Sequence, residues 1–179
     1  AIDRAIAYMA KTCERGVTFV TKDAAHPKLD YEVFSDSDWC VAHSTSGSCH
    51  LVRGRVVHAS SKRQHSISLS STEPEIMAAS LAAQETIFHR SLFAEMGFDM
   101  SEPTVLWVDN MGAVECTQRR ESLSRSRHIE RRYLKILEWV AEGKIIVKYK
   151  NTKENHADMF TKPLESATFG MHAAAIMGF

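Results

Sequence analysis

Apolar residues follow two periods along the chain, and the switches between these periods predict the order of its elements. Helical spacing of apolar positions is seen over residues 1–16, 71–98, 111–118 and 124–142. Runs rich in β-branched and aromatic residues cover 31–39, 48–53, 55–61, 103–108 and 144–150. We therefore expect three strands close together, followed by helices and strands in alternation.

The lengths of the links between strands predict how the strands pair. The first three strands are joined by short links, with Gly54 between the second and the third, which favours antiparallel pairing. The later strands are separated by helices, which favours right-handed parallel crossovers. The predicted fold class is α/β of the mixed α+β kind. Its five-stranded sheet has three antiparallel strands and then two parallel ones, flanked by helices.

The two long helical patterns also predict which side chains face the core. On the first helix the expected buried stripe consists of Met77, Leu81, Phe88 and Leu92. On the second it consists of Ile129, Tyr133, Ile136, Leu137 and Val140. The arginines of the second helix would then lie mainly away from the core.

Three further segments carry weaker patterns. The stretch VTFV (17–20) predicts a short strand, and residues 151–164 predict a helix that Pro163 ends. Residues 167–179 predict a small amphipathic helix. The polar stretch before the first long strand is a plausible boundary. We expect a linking segment over 1–28, the main domain over 29–165 and a C-terminal extension over 166–179.

Composition bounds the class of protein. A chain of 179 residues fits one domain with a short appendage. It contains neither an apolar run of the roughly 18 residues that a membrane span needs nor a secretory signal, so we expect a soluble intracellular protein without a membrane partner. The four cysteines are scattered without a C-x-x-C pair, so we expect free thiols rather than disulfides or a thiolate zinc site.

Charge balances over the whole chain but segregates along it. Lys and Arg total 22, as do Asp and Glu. Between residues 119 and 135, however, seven basic residues face only two glutamates. Such a patch suits a nucleic-acid partner, although a solvated helix face would carry the same charges.

Two of the predicted strands end with aspartate residues. The stretch YEVFSDSDW (31–39) contains Asp36 and Asp38, and LWVDN (106–110) ends on Asp109. Either ending could simply begin a turn. If the fourth strand pairs with the first, Asp36 and Asp109 approach each other, and carboxylates about 4 Å apart repel by about 4 kcal/mol at an effective dielectric near 20. A divalent cation would offset that repulsion, and the absence of Cys or clustered His favours Mg²⁺ or Mn²⁺ over Zn²⁺.

The other acids are ambiguous from spacing alone. Thr72 and Glu75 match a capping box at the start of the long helix, in which case Glu75 only stabilises the helix end. Glu73 is a nearby rival for any catalytic role. Asp158 has the features of an ordinary surface acid. Asp38 would project to the same face as Asp36 on an ideal strand, where it could assist metals or the fold.

Six motifs in order resolve these alternatives through a resemblance. They are FSDSDW, STSG, SSKRQHSISLSSTEPEIMAAS, LWVDN, SRSRHIERRYLKILEWV and ENHADMFTKPL. Together they resemble the ribonuclease H domain of Ty1/copia-type retrotransposon polyproteins (reverse transcriptase/ribonuclease H), over roughly residues 30–165. The opening IDRAIAYMAKTCERGVTF is similar to the segment that follows the reverse transcriptase in those polyproteins.

The resemblance implies a catalytic role for four carboxylates. Asp36, Glu75, Asp109 and Asp158 fall on the family's metal-binding acids, which implies two Mg²⁺ ions with Mn²⁺ as a substitute. The implied activity is two-metal hydrolysis of the RNA strand of RNA/DNA hybrids during reverse transcription. The implied partner is the reverse transcriptase domain of the same polyprotein, and the implied location is a cytoplasmic virus-like particle, with the nucleus as the alternative.

Weaker expectations concern substrate contacts. We expect the RNA strand to contact Ser71, Thr72 and Asn110. We expect the DNA strand to contact Arg125, Arg127 and His128. A solvated charge remains the alternative for each arginine. The histidine that many cellular ribonucleases H carry before the last acid looks absent or displaced, since His156 alone precedes Asp158 closely.

Three functions remain in competition after this reading. The first is a metal-dependent endonuclease. The second is a structural module that binds hybrid and supports an attached polymerase, with little cleavage of its own. The third is a DNA nuclease of the same superfamily. The matched acids favour the first over the second, and the lack of integrase-type acid spacing disfavours the third.

Overall fold

The computed structural model describes residues 2–19, 28–40, 43–65, 70–118 and 135–179. Within these ranges the helices are α1 (Ile2–Thr12), α2 (Thr72–Glu95), α3 (Met111–Gln118), α4 (Lys135–Ala141) and α5 (Ser166–Met177). The strands are β1 (Tyr31–Asp38), β2 (Thr45–Val52), β3 (Arg55–Arg63), β4 (Thr104–Val108) and β5 (Ile145–Tyr149). Two short 3-10 turns, Thr152–Glu154 and His156–Phe160, connect β5 to α5.

The five strands form one mixed sheet in the order β3-β2-β1-β4-β5. β1 is antiparallel to β2 and parallel to β4, and β4 is parallel to β5. This confirms the predicted mixed sheet, and the fourth strand does return to pair with the first. The central position of β1 matters for the site, because its two neighbours bring side chains to both flanks of its carboxyl end.

The hairpin between β2 and β3 is closed by two residues with left-handed backbone. Arg53 and Gly54 have φ values of 52° and 71°. Positive φ at both central positions is the geometry of a type I′ turn, whose twist matches that of antiparallel strands. Gly54 adopts it without steric cost, so the predicted hairpin forms at the predicted place.

One face of the sheet, here called the α2 side, carries the larger core. Strand residues such as Val33, Leu106 and Val108 pack there against Ile76 and Met77 of α2. The alanines Ala79, Ala82 and Ala83 continue the buried face of the helix. Small side chains allow the helix to pack closely on the strands, which positions its first turn at the edge where β1 and β4 end.

The predicted apolar stripe of α2 is therefore partly wrong. Met77 is buried and Leu81 half-buried, but Phe88 and Leu92 are 66% and 41% exposed. Large apolar side chains at helical spacing predict that stripe. The buried face is instead built from alanines together with Thr86 and the hydrogen-bonded Arg90. Of the second predicted stripe, Ile136 is buried and Leu137 and Val140 pack against the core, while Ile129 and Tyr133 lie outside the described residues.

The opposite face, here called the α5 side, is covered by the last part of the chain. Phe34, Cys49 and Leu51 of the sheet pack there with Ala157 and Ile176. α5 is also tied to the hairpin, because Arg55 Nη1 donates to the carbonyl of Ala175 at 2.9 Å. The division of the chain into segments at residues 28 and 165 stays a prediction.

Several local predictions are resolved by the structure. The first helix is confirmed as α1, although all but one of its residues are exposed. Residues 15–19 are not a strand, and the amide of Thr18 donates instead to the carbonyl of Met177 at 2.9 Å. The helix predicted for 151–164 is replaced by the two 3-10 turns, because Asn155 between them has an extended backbone. Of the helix predicted for 124–142, the part before residue 135 lies outside the described residues.

Two expectations about chemistry and environment can also be compared with the structure. All four cysteines are free thiols, as expected. Among the described residues, no helix combines the length and the apolar character that crossing a bilayer would require.

Gly47 on β2 lies where the second 3-10 turn packs against the sheet. A Cβ added there would be 2.7 Å from Thr161 Cγ2 and 2.9 Å from the carbonyl oxygen of Ala157. Contacts this short cannot be tolerated without moving the turn.

Gly47→Ala is therefore expected to lower the free energy of unfolding by about 1–3 kcal/mol, as overpacking does. Gly170→Ala is the matched control, because nothing lies within 4 Å of its added Cβ and helical Ala is favoured over Gly by about 1 kcal/mol. Urea unfolding of both variants checks this, and equal stability of the two would show that the turn does not pack as described.

Candidate metal centre at the carboxyl ends of β1 and β4

Asp36 and Asp109 become neighbours through strand register. β1 and β4 run parallel, and Ser35 is paired with Val108. The residues that follow are Asp36 and Asp109, so both carboxylates lie at the same edge of the sheet. Parallel strands bring their carboxyl ends together in this way, which is why ligand sites of open α/β sheets form there.

Glu75 reaches this edge from the first turn of α2. Ligand oxygens of Asp36, Glu75 and Asp109 all lie within 4.8 Å of one another. Glu75 Oε1 accepts a hydrogen bond from Ser37 Oγ at 2.9 Å, whereas its Oε2 is buried without a hydrogen-bond partner. The rival Glu73, two residues earlier, is not part of this carboxylate group.

The capping-box alternative for Glu75 is wrong. The N-cap residue of α2 is Ser71, which has helical backbone angles and makes no side-chain cap hydrogen bond. Glu75 is buried and accepts its hydrogen bond from the β1 side chain Ser37. Its position therefore serves the group of acids rather than the helix end.

Two threonines that the sequence reading missed orient the aspartates. Thr161 Oγ1 donates to Asp36 Oδ2, and Thr152 Oγ1 donates to Asp109 Oδ2 at 2.8 Å. Thr161 stands three residues after Asp158 within the ADMFT stretch, so the motif itself held the signal for it. Thr152 carried no comparable signal, because it lies outside the motifs that identify the acids.

Asp158 lies beside the group but outside the set of three. It is buried in the second 3-10 turn and forms an ion pair with Lys162. Its charge is close enough to raise the pKa of Asp36. Asn155 holds this turn against β1, because its Nδ2 donates to the carbonyl of Ser35 at 2.9 Å.

Crowding of buried acids perturbs their protonation. Burial raises the pKa of Glu75 to about 8, with further increases from the charges of Asp36 and Asp109. Burial also raises the pKa of Asp36 to about 6, where the hydrogen bond from Thr161 opposes the repulsion from Asp109 and Asp158. These directions are those expected when like charges share a poorly solvated site.

The donor set fits a hard divalent cation. Asp36, Glu75 and Asp109 offer only carboxylate oxygens, which are the ligands that Mg²⁺ and Mn²⁺ prefer. The buried Oε2 of Glu75 lacks a hydrogen bond that a metal contact would replace. An ion at this place would also offset the repulsion that raises both pKa values.

The residues nominated for the RNA strand adjoin these acids. Asn110 follows Asp109, and its Oδ1 accepts from the amide of Ala113 at 3.0 Å, as an N-cap residue does. Thr72 is close by, since a Cβ added to Gly112 would lie 3.1 Å from Asn110 Oδ1 and 3.3 Å from Thr72 Oγ1. Ser71 is exposed at the start of α2. Arg125, Arg127 and His128, nominated for the DNA strand, lie outside the described residues.

Two remaining side chains have structural contacts. Asp38 Oδ1 accepts from the amide of Thr45, so this acid links β1 to β2. His156 is turned toward α5, where its Nδ1 is 3.0 Å from Nδ1 of His172. These contacts account for both residues without assigning them a part in the carboxylate group.

The chain is similar to transposon polyproteins over nearly all of its length. The retrovirus-related Pol polyprotein from transposon RE2 of Arabidopsis thaliana is 31% identical over 173 residues, which cover 94% of this chain. The corresponding polyprotein from transposon RE1 of the same plant is 31% identical over 98% of this chain. The chain spans only 12% of the length of either polyprotein. No protein-family model matches it.

A solved structure shares the fold at low sequence identity. The N-terminal RNase H domain of Rv2228c from Mycobacterium tuberculosis, solved as a fusion with maltose-binding protein, gives a TM-score of 0.53 at 10% identity. The match covers 82% of this chain and 97% of that one. At this identity the likeness shows the fold alone, and the fold is that of a ribonuclease H domain.

Because the pKa of Glu75 is raised, the free energy of unfolding of the metal-free protein should depend on pH. The folded protein holds this proton up to about pH 8, whereas an unfolded glutamate releases it near pH 4.3. Stability of the metal-free protein therefore falls as the pH rises from about 4.3 to about 8. Glu75→Gln removes that loss.

The variant should thus melt at a higher temperature than the parent at pH 8 in the presence of a chelator, with a smaller difference at pH 5. Glu115→Gln, at an exposed position of α3, is the control and should follow the parent. Melting curves at the two pH values test this prediction. Equal melting temperatures of Glu75→Gln and the parent at pH 8 would show that the pKa of Glu75 is not raised in the folded protein.

Proposed function

Because this chain belongs to the Ty1/copia-type Pol polyproteins of transposons and has the fold of a ribonuclease H domain, we propose that it hydrolyses the RNA strand of RNA/DNA hybrids during reverse transcription. The observation that carries the proposal is the approach of ligand oxygens of Asp36, Glu75 and Asp109 to within 4.8 Å of one another. A mutually repelling set of acids, two of them buried, is costly unless it binds cations.

Asp36, Glu75 and Asp109 would hold divalent ions, with Asp158 as the ligand at the margin of the group. We assign two Mg²⁺ ions, for which Mn²⁺ can substitute. Bound ions of this kind supply a water of lowered pKa and neutralise charge on a scissile phosphate. The expected products are a 5′-phosphate and a 3′-hydroxyl.

The protein's own contribution is to fix the carboxylates in place. Ser37, Thr152 and Thr161 each donate to one of the three acids, so each carboxylate presents a defined oxygen to the site. Asn155 and Gly47 let the 3-10 turn that carries Asp158 lie against the sheet. Lys162 compensates the charge of Asp158 in the metal-free protein. Positioning and charge compensation of this kind account for most of the rate in phosphoryl chemistry.

Recognition of a hybrid requires separate contacts to its two strands. RNA presents 2′-hydroxyls in a wide, shallow minor groove, and the neutral side chains of Ser71, Thr72 and Asn110 suit them. DNA is held mainly through its phosphates, for which Arg125, Arg127 and His128 are proposed. We also propose that the reverse transcriptase of the same polyprotein is the partner, within virus-like particles.

Asp109→Asn is expected to reduce cleavage of a labelled RNA/DNA hybrid by more than about 100-fold while hybrid binding persists. Loss of a residue that merely supports a metal ligand already costs about 10–100-fold, and a ligand costs more. Asp99→Asn is the control, because Asp99 lies outside the carboxylate group and its backbone forms an isolated β-bridge with Lys28. The hydrogen bond that its side chain accepts from the amide of Ser101 can also form in Asn.

Substrates in the same assay separate the three candidate functions. RNA duplex and DNA duplex are incubated beside the hybrid with Mg²⁺. Cutting restricted to the RNA of the hybrid supports the proposal. Binding without cutting indicates a structural module, and cutting of the DNA duplex indicates a DNA nuclease.

Arg125→Ala is expected to weaken hybrid binding more at low salt than at high salt. Each phosphate contact that is lost lowers the slope of log affinity against log salt by about 1. Lys11→Ala on the exposed α1 removes the same charge elsewhere and should leave the slope unchanged. Binding measured at several salt concentrations gives both slopes, and equal slopes for the parent and Arg125→Ala would remove this residue from the interface.

A further inference from the structure

A second group of metal-ligating side chains lies between the β2–β3 hairpin and α2. His50 and His58 are direct cross-strand partners, and Glu85 and His89 are one helical turn apart on α2. Ligand atoms of His50, His58 and Glu85 lie within 4.8 Å of one another. The ring centroid of His89 is 4.8 Å from that of His50 and 5.2 Å from that of His58.

This histidine group is separate from the carboxylate group. Glu85 is ten residues beyond Glu75 on the same helix, which corresponds to about 15 Å along the helix axis. The two groups share no residue. They also differ in chemistry, because one offers only oxygen and the other offers mainly imidazole nitrogen.

The hydrogen bonds around the group orient its rings as in a metal site. Tyr31 OH is 2.8 Å from His50 Nδ1 and 3.2 Å from His89 Nδ1. Holding both rings by Nδ1 leaves the Nε2 atoms for other partners, and His50 Nε2 is 3.2 Å from Glu85 Oε2. A second hydrogen bond of this kind fixes the orientation of histidine ligands in metalloproteins.

The protonation states are those that a metal requires. Burial lowers the pKa of His50, and it lowers that of His89 to about 4, so both rings are neutral near pH 7. Burial by itself would raise the pKa of Glu85, but hydrogen bonds from His50, Lys62 and Ser48 outweigh it and keep the pKa well below its usual range. Neutral imidazoles and an ionised carboxylate are the forms that bind metal ions. In the metal-free protein His50 Nε2 donates to Glu85, so an ion bound at this nitrogen would replace that hydrogen bond.

One cation already contacts the group. Lys62 Nζ is 2.8 Å from Glu85 Oε1, and this side chain is 58% exposed. Because its side chain is the exposed partner of this ion pair, the lysine can turn into solvent when another cation binds Glu85. A divalent ion would then take over the compensation of Glu85.

We propose that His50, His58, Glu85 and His89 form a structural site for Zn²⁺ or a similar borderline divalent metal. Imidazole nitrogens with one carboxylate are a ligand set that Zn²⁺ accepts in tetrahedral geometry, whereas Mg²⁺ prefers oxygen. The ion would join the hairpin to α2, the helix that brings Glu75 to the carboxylate group. This site does not depend on the proposed nuclease activity.

The test is metal binding by the full chain after treatment with a chelator. Zn²⁺ at about one hundred times its Kd should raise the Tm by roughly 5–10 °C, from the size of the linkage effect and of the chain. With excess Mg²⁺ present to occupy the carboxylate group, one equivalent of Co²⁺ should bind and give the visible absorption of a tetrahedral site. His58→Ala and Glu85→Gln should each weaken binding by more than about 10-fold.

Two gentler variants keep the test informative if those changes disturb folding. Tyr31→Phe should weaken binding by about 10-fold, as the loss of a supporting hydrogen bond does. Lys62→Ala should strengthen binding, since it removes the competing cation. A merely structural role for these contacts would leave the affinity for Co²⁺ the same in both variants.

Controls separate this site from the other one. His65→Ala changes an exposed histidine outside the group, and Asp109→Asn disables the carboxylate group, so both should bind Co²⁺ like the parent. Excess Mg²⁺ should not displace the ion. Absence of uptake, parent-like affinity in His58→Ala, or loss of binding in Asp109→Asn would each overturn the proposal.

Discussion

Repulsion among three carboxylates, two of them buried and one half-buried, is the constraint on which the rest of this structure depends. Asp36, Glu75 and Asp109 come from a central strand, a helix start and the end of a neighbouring strand, so their approach requires the whole sheet and α2 to be formed. Each acid receives a hydroxyl hydrogen bond, which limits the electrostatic cost without removing it. The folded protein is therefore poised to gain stability from cations at this edge.

The sheet and the positions of the acids could be predicted from sequence because they depend on local signals. Short links, one hairpin turn and two crossovers determine the strand order, and motifs of a few residues identify the four acids. The supporting hydroxyls could not be predicted in the same way. Thr152 of the first 3-10 turn contacts Asp109 at the end of β4, and this turn follows no hydrophobic period. The buried face of α2 was misjudged for a related reason, since side-chain size does not reveal that Ala79 and Ala83 permit the closest packing.

The histidine group could not be predicted from the order of residues along the chain. Only Glu85 and His89, one helical turn apart, are close in sequence. The lack of clustered histidines in the sequence therefore favoured metals bound by oxygen. Cross-strand register joins His50 to His58, and packing of α2 on the hairpin adds Glu85 and His89. One helix thus connects two groups of opposite ligand preference, so hard and borderline metals would each have a favoured place on the same scaffold.

The order of strands leaves β3 and β5 at the margins of the sheet, with backbone groups that could pair with another chain. Lys62 and Arg63 stand at the end of β3, and Lys148 lies within β5. Two copies approaching edge to edge would meet like charges, which opposes unwanted sheet extension. Positively charged edge strands of this kind oppose self-association. This effect matters most for a protein present at high local concentration.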